Sequence, residues 1–193
     1  MVDIILLLIS AVLVNNFVFA RFLGTCPYIG VSQRIETATG MGMAVIFVMT
    51  LTGVVTWMAQ TFILEPFGIV YLQTVVFILV IAALVQFVET VIRKTSPVLY
   101  QALGIYLPLI TTNCCVFGMA VLNIQQQNNL IRSAAFGFGA AAGFAVAIVI
   151  FAGIRERLDL VKMPVLLKGF PIGLITAGLL SLAFMGFANL VKG

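Results

Sequence analysis

The chain predicts an all-α integral membrane protein of six transmembrane helices, and three observations carry that prediction. Of its 193 residues 63% are hydrophobic and 8% charged, at a mean hydropathy of +1.23, far from the composition of a soluble domain. A hydrocarbon core of about 30 Å takes about 20 apolar residues per helix, and six such stretches follow one another with short connections. The positive residues also segregate. With connections assigned alternately to two sides, Arg21, Arg34, Arg93, Lys94, Arg155, Arg157, Lys162 and Lys168 share one side, against Arg132 and Lys192 on the other.

By the positive-inside rule the arginine-rich side is cytoplasmic, so both termini face out. The formal charge of +4 therefore reports orientation in the bilayer and not nucleic-acid binding.

Taken in order, the spans are expected at Ile4–Leu23, Gly40–Phe62, Tyr71–Val91, Leu99–Leu122, Ala134–Ile154 and Gly169–Leu190. The first opens on Met1-Val2-Asp3 rather than a basic segment and lacks a small-residue cleavage site, so it is expected to be retained. Turn and charge signals separate the spans: Gln33-Arg34-Ile35-Glu36, Glu65-Pro66-Phe67-Gly68, Arg93 to Pro97, Asn123 to Asn129 and Arg155 to Lys168.

The chain is expected to form one polytopic domain, 1–193, in two halves of about 1–96 and 97–193. A gapless displacement of 97 residues lays Asn16 on Asn113, Leu6 on Leu103, and Gly40 and Gly42 on Gly137 and Gly139. Three spans per half make the second copy enter from the opposite side, so the repeat is inverted. Gly40, Gly42, Gly137, Gly139 and Gly143 are small-residue faces suited to close helix approach.

Two polar interruptions stand out inside the apolar runs, Asn15-Asn16 in the first span and Thr111-Thr112-Asn113 in the fourth. Side-chain amides and hydroxyls there can satisfy backbone groups that have lost helical partners, so broken or half helices are expected in the first and fourth spans. Pro27 biases Cys26 away from helix, Gly24 and Gly30 add bend points, and Pro108 removes a backbone donor upstream of Cys114.

Cys26 and Cys114 lie in those two broken segments, while Cys115 reads as a small packing residue. Soft thiolates select iron–sulfur clusters, zinc or cuprous ion. The absence of histidine removes His-ligated haem and zinc and His proton relays from this chain. Two thiolates are half of a four-thiolate site, so a metal centre here calls for a partner chain. Straight helices would leave Cys26 near the cytoplasmic face and Cys114 nearer mid-membrane; re-entrant geometry is needed to join them. Glu89 and Arg93 read as an i,i+4 pair, and with no carboxylate placed at mid-membrane the chain alone is a poor proton or sodium carrier.

At these residues a family resemblance enters. Leu13-Val14-Asn15-Asn16, Phe22 to Pro27 with Gly30-Val31-Ser32, Lys94 to Pro97, Leu107 to Cys114 and Arg155-Glu156-Arg157 resemble the A-type membrane subunits of Rnf ion-translocating electron-transport complexes. More distantly, the chain is similar to the paired small membrane subunits of the sodium-translocating NADH:quinone reductase. The resemblance implies six spans in an inverted repeat, a homologous sister of the E type in the bilayer, and further Rnf subunits of the B, C, D and G types. It implies a [2Fe-2S] cluster between the sisters, with Cys26 and Cys114 as this chain's ligands and Asn15, Asn16, Thr112 and Asn113 in support. Cys115 stands where the family pattern has a small apolar residue and is the second choice for the Cys114 role. The complex is implied to couple electron flow between ferredoxin and NAD, or toward a redox-regulator target, to Na+ or H+ movement. Two other readings stay open on the residues alone: a secondary transporter with a midplane site, and a structural membrane anchor without redox function.

Overall fold

The computed structural model describes residues 8, 11–12, 16–68, 70–95, 107–161, 164 and 169–188. Among them regular structure is entirely helical: α1 Thr25–Gly30, α2 Ile35–Ala59, α3 Gln73–Thr95, α4 Leu107–Thr111, α5 Cys114–Gln125, α6 Leu130–Asp159 and α7 Phe170–Ala188. A 3-10 turn, Val70–Leu72, leads into α3. Among the described residues four helical stretches are long and apolar enough to cross a membrane, and Phe170–Gly186 is a shorter apolar helix. The chain is a multi-pass membrane protein.

α2 and α6 form the packed centre. Both are apolar around their circumference, because one face meets protein while residues such as Met43, Phe47 and Phe138 are exposed toward the lipid side. Their backbones approach through small residues. A Cβ on Gly137 would lie 2.9 Å from the Met49 carbonyl oxygen, and one on Gly53 would lie 3.0 Å from that of Ser133. The small-residue reading of Gly137 thus holds, and that of Gly42 with it, whose added Cβ would lie 3.1 Å from Ala145 Cβ. Gly137→Ala is expected to cost about 1–3 kcal/mol by overpacking against backbone that cannot yield. Gly153→Ala, on the same helix with nothing within 4 Å of the added carbon, should leave the thermal midpoint in detergent unchanged.

Helix ends depart from the expected spans for local reasons. α2 begins at Ile35, ahead of the apolar run, because Glu156 Oε1 accepts the Ile35 N–H at 2.9 Å, and Thr37 and Thr39 return their hydroxyls to carbonyls three and four residues back. It also runs past Phe62 to Phe67, a helical length of 33 residues. At about 1.5 Å per residue that is about 50 Å, so its ends stand outside the hydrocarbon. The expected first span does not reach Leu23: residues 17–21 and 23–24 are turns. The fourth is divided at Thr112-Asn113, as expected, and runs on to Gln125; its first residues, 99–106, lie outside the described set.

The first half of the non-helical stretch after Asn16 is buried in protein, with Phe17, Val18 and Phe19 each 2–3% exposed, while Ala20, Arg21 and Phe22 are exposed. Its backbone is satisfied locally by Ala20 N to Asn16 O, Leu23 N to Phe17 O and Phe22 N to Val18 O bonds of 2.9–3.1 Å. From α7, Ser181 Oγ donates to Phe19 O at 2.8 Å, and Phe184 stacks on Phe19 with centroids 4.4 Å apart. Irregular backbone at membrane depth requires such cover.

Candidate metal centre

The two interruptions carry one device. Asn16 Oδ1 accepts the Val18 N–H at 3.0 Å, and Asn113 Oδ1 accepts the Cys115 N–H at 3.0 Å. Each asparagine captures the amide two residues on; in the second case this starts α5 with Asn113 as its N-cap. The donor ends differ. Asn16 Nδ2 reaches Gly143 O at 2.9 Å and Val12 O at 3.1 Å, whereas Asn113 Nδ2 is buried without a hydrogen-bond partner among the described residues. Thr112 Oγ1 donates to Pro108 O at 3.1 Å, closing the exposed end of α4. Asn15 lies outside the described residues.

These breaks bring the cysteine segments together. The Gly24 N–H donates to Cys114 Sγ at 2.9 Å, ninety residues apart in sequence, and α1, which carries Cys26, packs beside α4. Gly24 makes this approach possible in two ways. Its φ of +84° lies in the left-handed region, and a Cβ would meet Phe144 at 2.9 Å, Cys115 Cβ at 3.1 Å and Asn113 Oδ1 at 3.2 Å.

The three cysteines occupy distinct environments. Cys26 is exposed, Cys114 half-buried and Cys115 buried, the last within the main apolar core beside Val116 and Met119. Adjacent helical residues differ by about 100° in direction, so Cys114 addresses the Gly24 loop while Cys115 packs inward. A backbone N–H aimed at sulfur tunes the potential of a cluster that the sulfur ligates. The two accessible thiols therefore suit a soft-metal group at the protein edge. Among the described residues no set of three or more His, Cys, Asp or Glu side chains could hold a metal alone.

A clamp from α6 holds this edge in place. Arg155 Nη1 donates to Ile29 O at 2.7 Å and to Ser32 Oγ at 3.0 Å, and its guanidinium lies 5.7 Å from the Phe151 ring centroid. Phe151 in turn stacks on Tyr28 at 4.3 Å. Arg155 and Cys26 border one cavity of about 450 Å³ that reaches Phe170. The sequence assigns Arg155 to the cytoplasmic side and shows Glu156 in the Arg155-Glu156-Arg157 motif, without revealing the long-range partners of either. Arg155→Gln should lower stability by about 1.5–3 kcal/mol, as expected for hydrogen bonds from a charged donor. Arg155→Lys should recover part of it, since a lysine lacks the planar fork. Thermal unfolding in detergent reads both.

Comparison with known proteins shows the family. The family model described as "Rnf-Nqr subunit, membrane protein" matches residues 4–191. The chain belongs to the Rnf-Nqr family. Over its full length, and the full length of each relative, it is 62% identical to the A-type subunit of the ion-translocating oxidoreductase complex of Syntrophotalea carbinolica, 60% to that of Photorhabdus laumondii and 59% to that of Proteus mirabilis. In this Rnf-Nqr chain, then, the Asn-marked breaks, the Gly24 approach and the Arg155 clamp converge on one edge.

Proposed function

We propose that this chain is the A-type membrane subunit of an Rnf ion-translocating oxidoreductase complex, in which Cys26 and Cys114 provide two of the four thiolates of a [2Fe-2S] cluster. A homologous sister of the E type provides the other two, and the B-, C-, D- and G-type subunits complete the assembly. The observation that carries this reading is the 2.9 Å bond from Gly24 N to Cys114 Sγ, which joins the two cysteine segments at an exposed edge.

When bound, the cluster supplies a one-electron relay inside the membrane. The chain's own residues prepare for it. Asn113 orients α5 so that Cys114 faces the loop, Gly24 delivers an N–H to the sulfur, and Arg155 fixes the backbone carrying Cys26. The matching asparagine turns at a spacing of 97 residues support an inverted repeat of halves 1–96 and 97–193. The arginine-rich end faces the cytoplasm with both termini periplasmic. Electron flow of the ferredoxin and NAD type is coupled to Na+ or H+ movement by the complex as a whole.

Iron and acid-labile sulfide analysis of the anaerobically purified complex tests the assignment. Cys26→Ser and Cys114→Ser should each lose the two iron atoms of one cluster per complex, and Cys115→Ala should lose none. Unchanged iron in both serine variants would favour the structural anchor. Substrate-dependent uptake by the chain reconstituted alone would favour the transporter.

A further inference from the structure

The loop that brings Gly24 to Cys114 holds one residue in a conformation its side chain disfavours. Phe22 stands at φ +54°, in the left-handed region, and with Gln127 it is one of two residues other than glycine at positive φ among the described residues. The geometry is imposed from both sides. The Phe22 N–H donates to Val18 O and the Leu23 N–H to Phe17 O, closing a turn. Leu23 then lies over Gly118 of α5, where an added Cβ would come 2.7 Å from its Cδ1, and the Gly24 N–H is fixed on Cys114 Sγ. A chain end closed by such a pair of bonds favours glycine at its left-handed residue.

The chain's own packing does not reward a phenylalanine there. The side chain is 61% exposed and stands outside the apolar core that takes in Phe17, Val18 and Phe19. Ala20 and Arg21 beside it are exposed as well. Fluid lipid conforms to any apolar surface and rewards no fixed ring position, and an exposed arginine next door makes open hydrocarbon a poor neighbour. A docked protein does reward a fixed ring. Aromatic and arginine side chains are enriched at protein interfaces, and backbone strain of this kind clusters at functional contacts.

The identity of the docked chain rests on the functional reading above. If this chain gives two of four thiolates, the chain giving the others must reach Cys26, which is exposed. Phe22 is four residues from that cysteine, at most about 14 Å along the backbone. Beyond Cys26 the cavity of about 450 Å³ is walled by Ile29, Gly30 and Phe170, so apolar surface follows the cysteine in the chain as it precedes it. We propose that Phe22 is the anchor by which the E-type sister docks over the Cys26 edge. The strained backbone holds the ring out from the loop, and an apolar pocket of the sister takes it up.

Photo-cross-linking in the intact complex, with Phe22 replaced by p-benzoylphenylalanine, reads the neighbour directly. Irradiation should join this chain to the E-type sister, identified by mass spectrometry of the joined peptides. Cross-links to lipid alone, or to another subunit alone, overturn the proposal. Phe22→Gly removes the ring and relieves the backbone. It should speed loss of the sister from the detergent-solubilised complex by about tenfold or more, the scale of a hot-spot truncation, while the thermal midpoint of the full-length chain purified alone does not fall. Phe22→Tyr keeps the ring and should hold the sister as the parent does. An unchanged rate of loss in Phe22→Gly, or a lowered midpoint of the chain alone, assigns the ring to lipid or to internal packing and overturns the proposal. Cross-linking needs no metal. A sister cross-link alongside unchanged iron in both Cys26→Ser and Cys114→Ser would sink the cluster assignment and support the anchor; iron loss in those variants without a sister cross-link would do the reverse.

Discussion

Cys114→Ser is expected to stop electron transfer through the assembled complex, with a loss exceeding the roughly 10–100-fold that removal of an outer hydrogen-bonding partner costs a metal site. Cys114 Sγ already accepts the Gly24 N–H, so serine would keep a hydrogen-bonding atom in place while withdrawing the soft thiolate. Cys26→Ser should match it. Cys115→Ala should transfer electrons at close to the parent rate, because its side chain packs in the core and away from the exposed edge. Steady-state turnover of membranes carrying each variant, normalised to the amount of assembled complex, separates ligand loss from packing loss. Equal turnover in the Cys114→Ser and Cys115→Ala membranes would remove the distinction drawn between neighbouring cysteines.

Gly24→Ala is expected to be the most damaging change outside the cysteines. A left-handed backbone costs a residue with a side chain about 1–2 kcal/mol. The added carbon would also sit 2.9 Å from Phe144 and 3.1 Å from Cys115 Cβ, where overpacking costs about 1–3 kcal/mol. Together these amount to about 2–5 kcal/mol, a large part of the stability of an ordinary domain. Relieving the clash pushes the loop from α5, which withdraws the N–H from Cys114 and separates the two thiols. Gly30→Ala, six residues on with nothing within 4 Å of its added carbon, is the matched control. Thermal unfolding and iron content should both fall in the first variant and hold in the second.

The membrane spans were legible because apolar runs of this length have few alternatives, and α2, α3, α6 and α7 all contain most of their expected stretches. Asn113 was legible as a break, since a polar side chain after two threonines offers the backbone a competing partner. The meeting of the Cys26 and Cys114 segments was not. Straight-helix arithmetic set them at different depths, and what joins them is the compaction of residues 16–24 into turns together with the Gly24 contact. The roles of Arg155 and Glu156 were hidden for the same reason. Their partners, Ile29, Ser32 and Ile35, lie more than one hundred residues away, and no local pattern in an arginine-rich turn identifies a carbonyl across the bundle.

EPR of the dithionite-reduced, anaerobically purified complex, carrying each cysteine variant in turn, tests whether Cys26 and Cys114 hold half of a [2Fe-2S] cluster at an edge shared with a homologous sister chain. The predicted result is a [2Fe-2S] signal present in the parent and in Cys115→Ala, and absent or displaced in both Cys26→Ser and Cys114→Ser. An unaltered signal in both serine variants would contradict it.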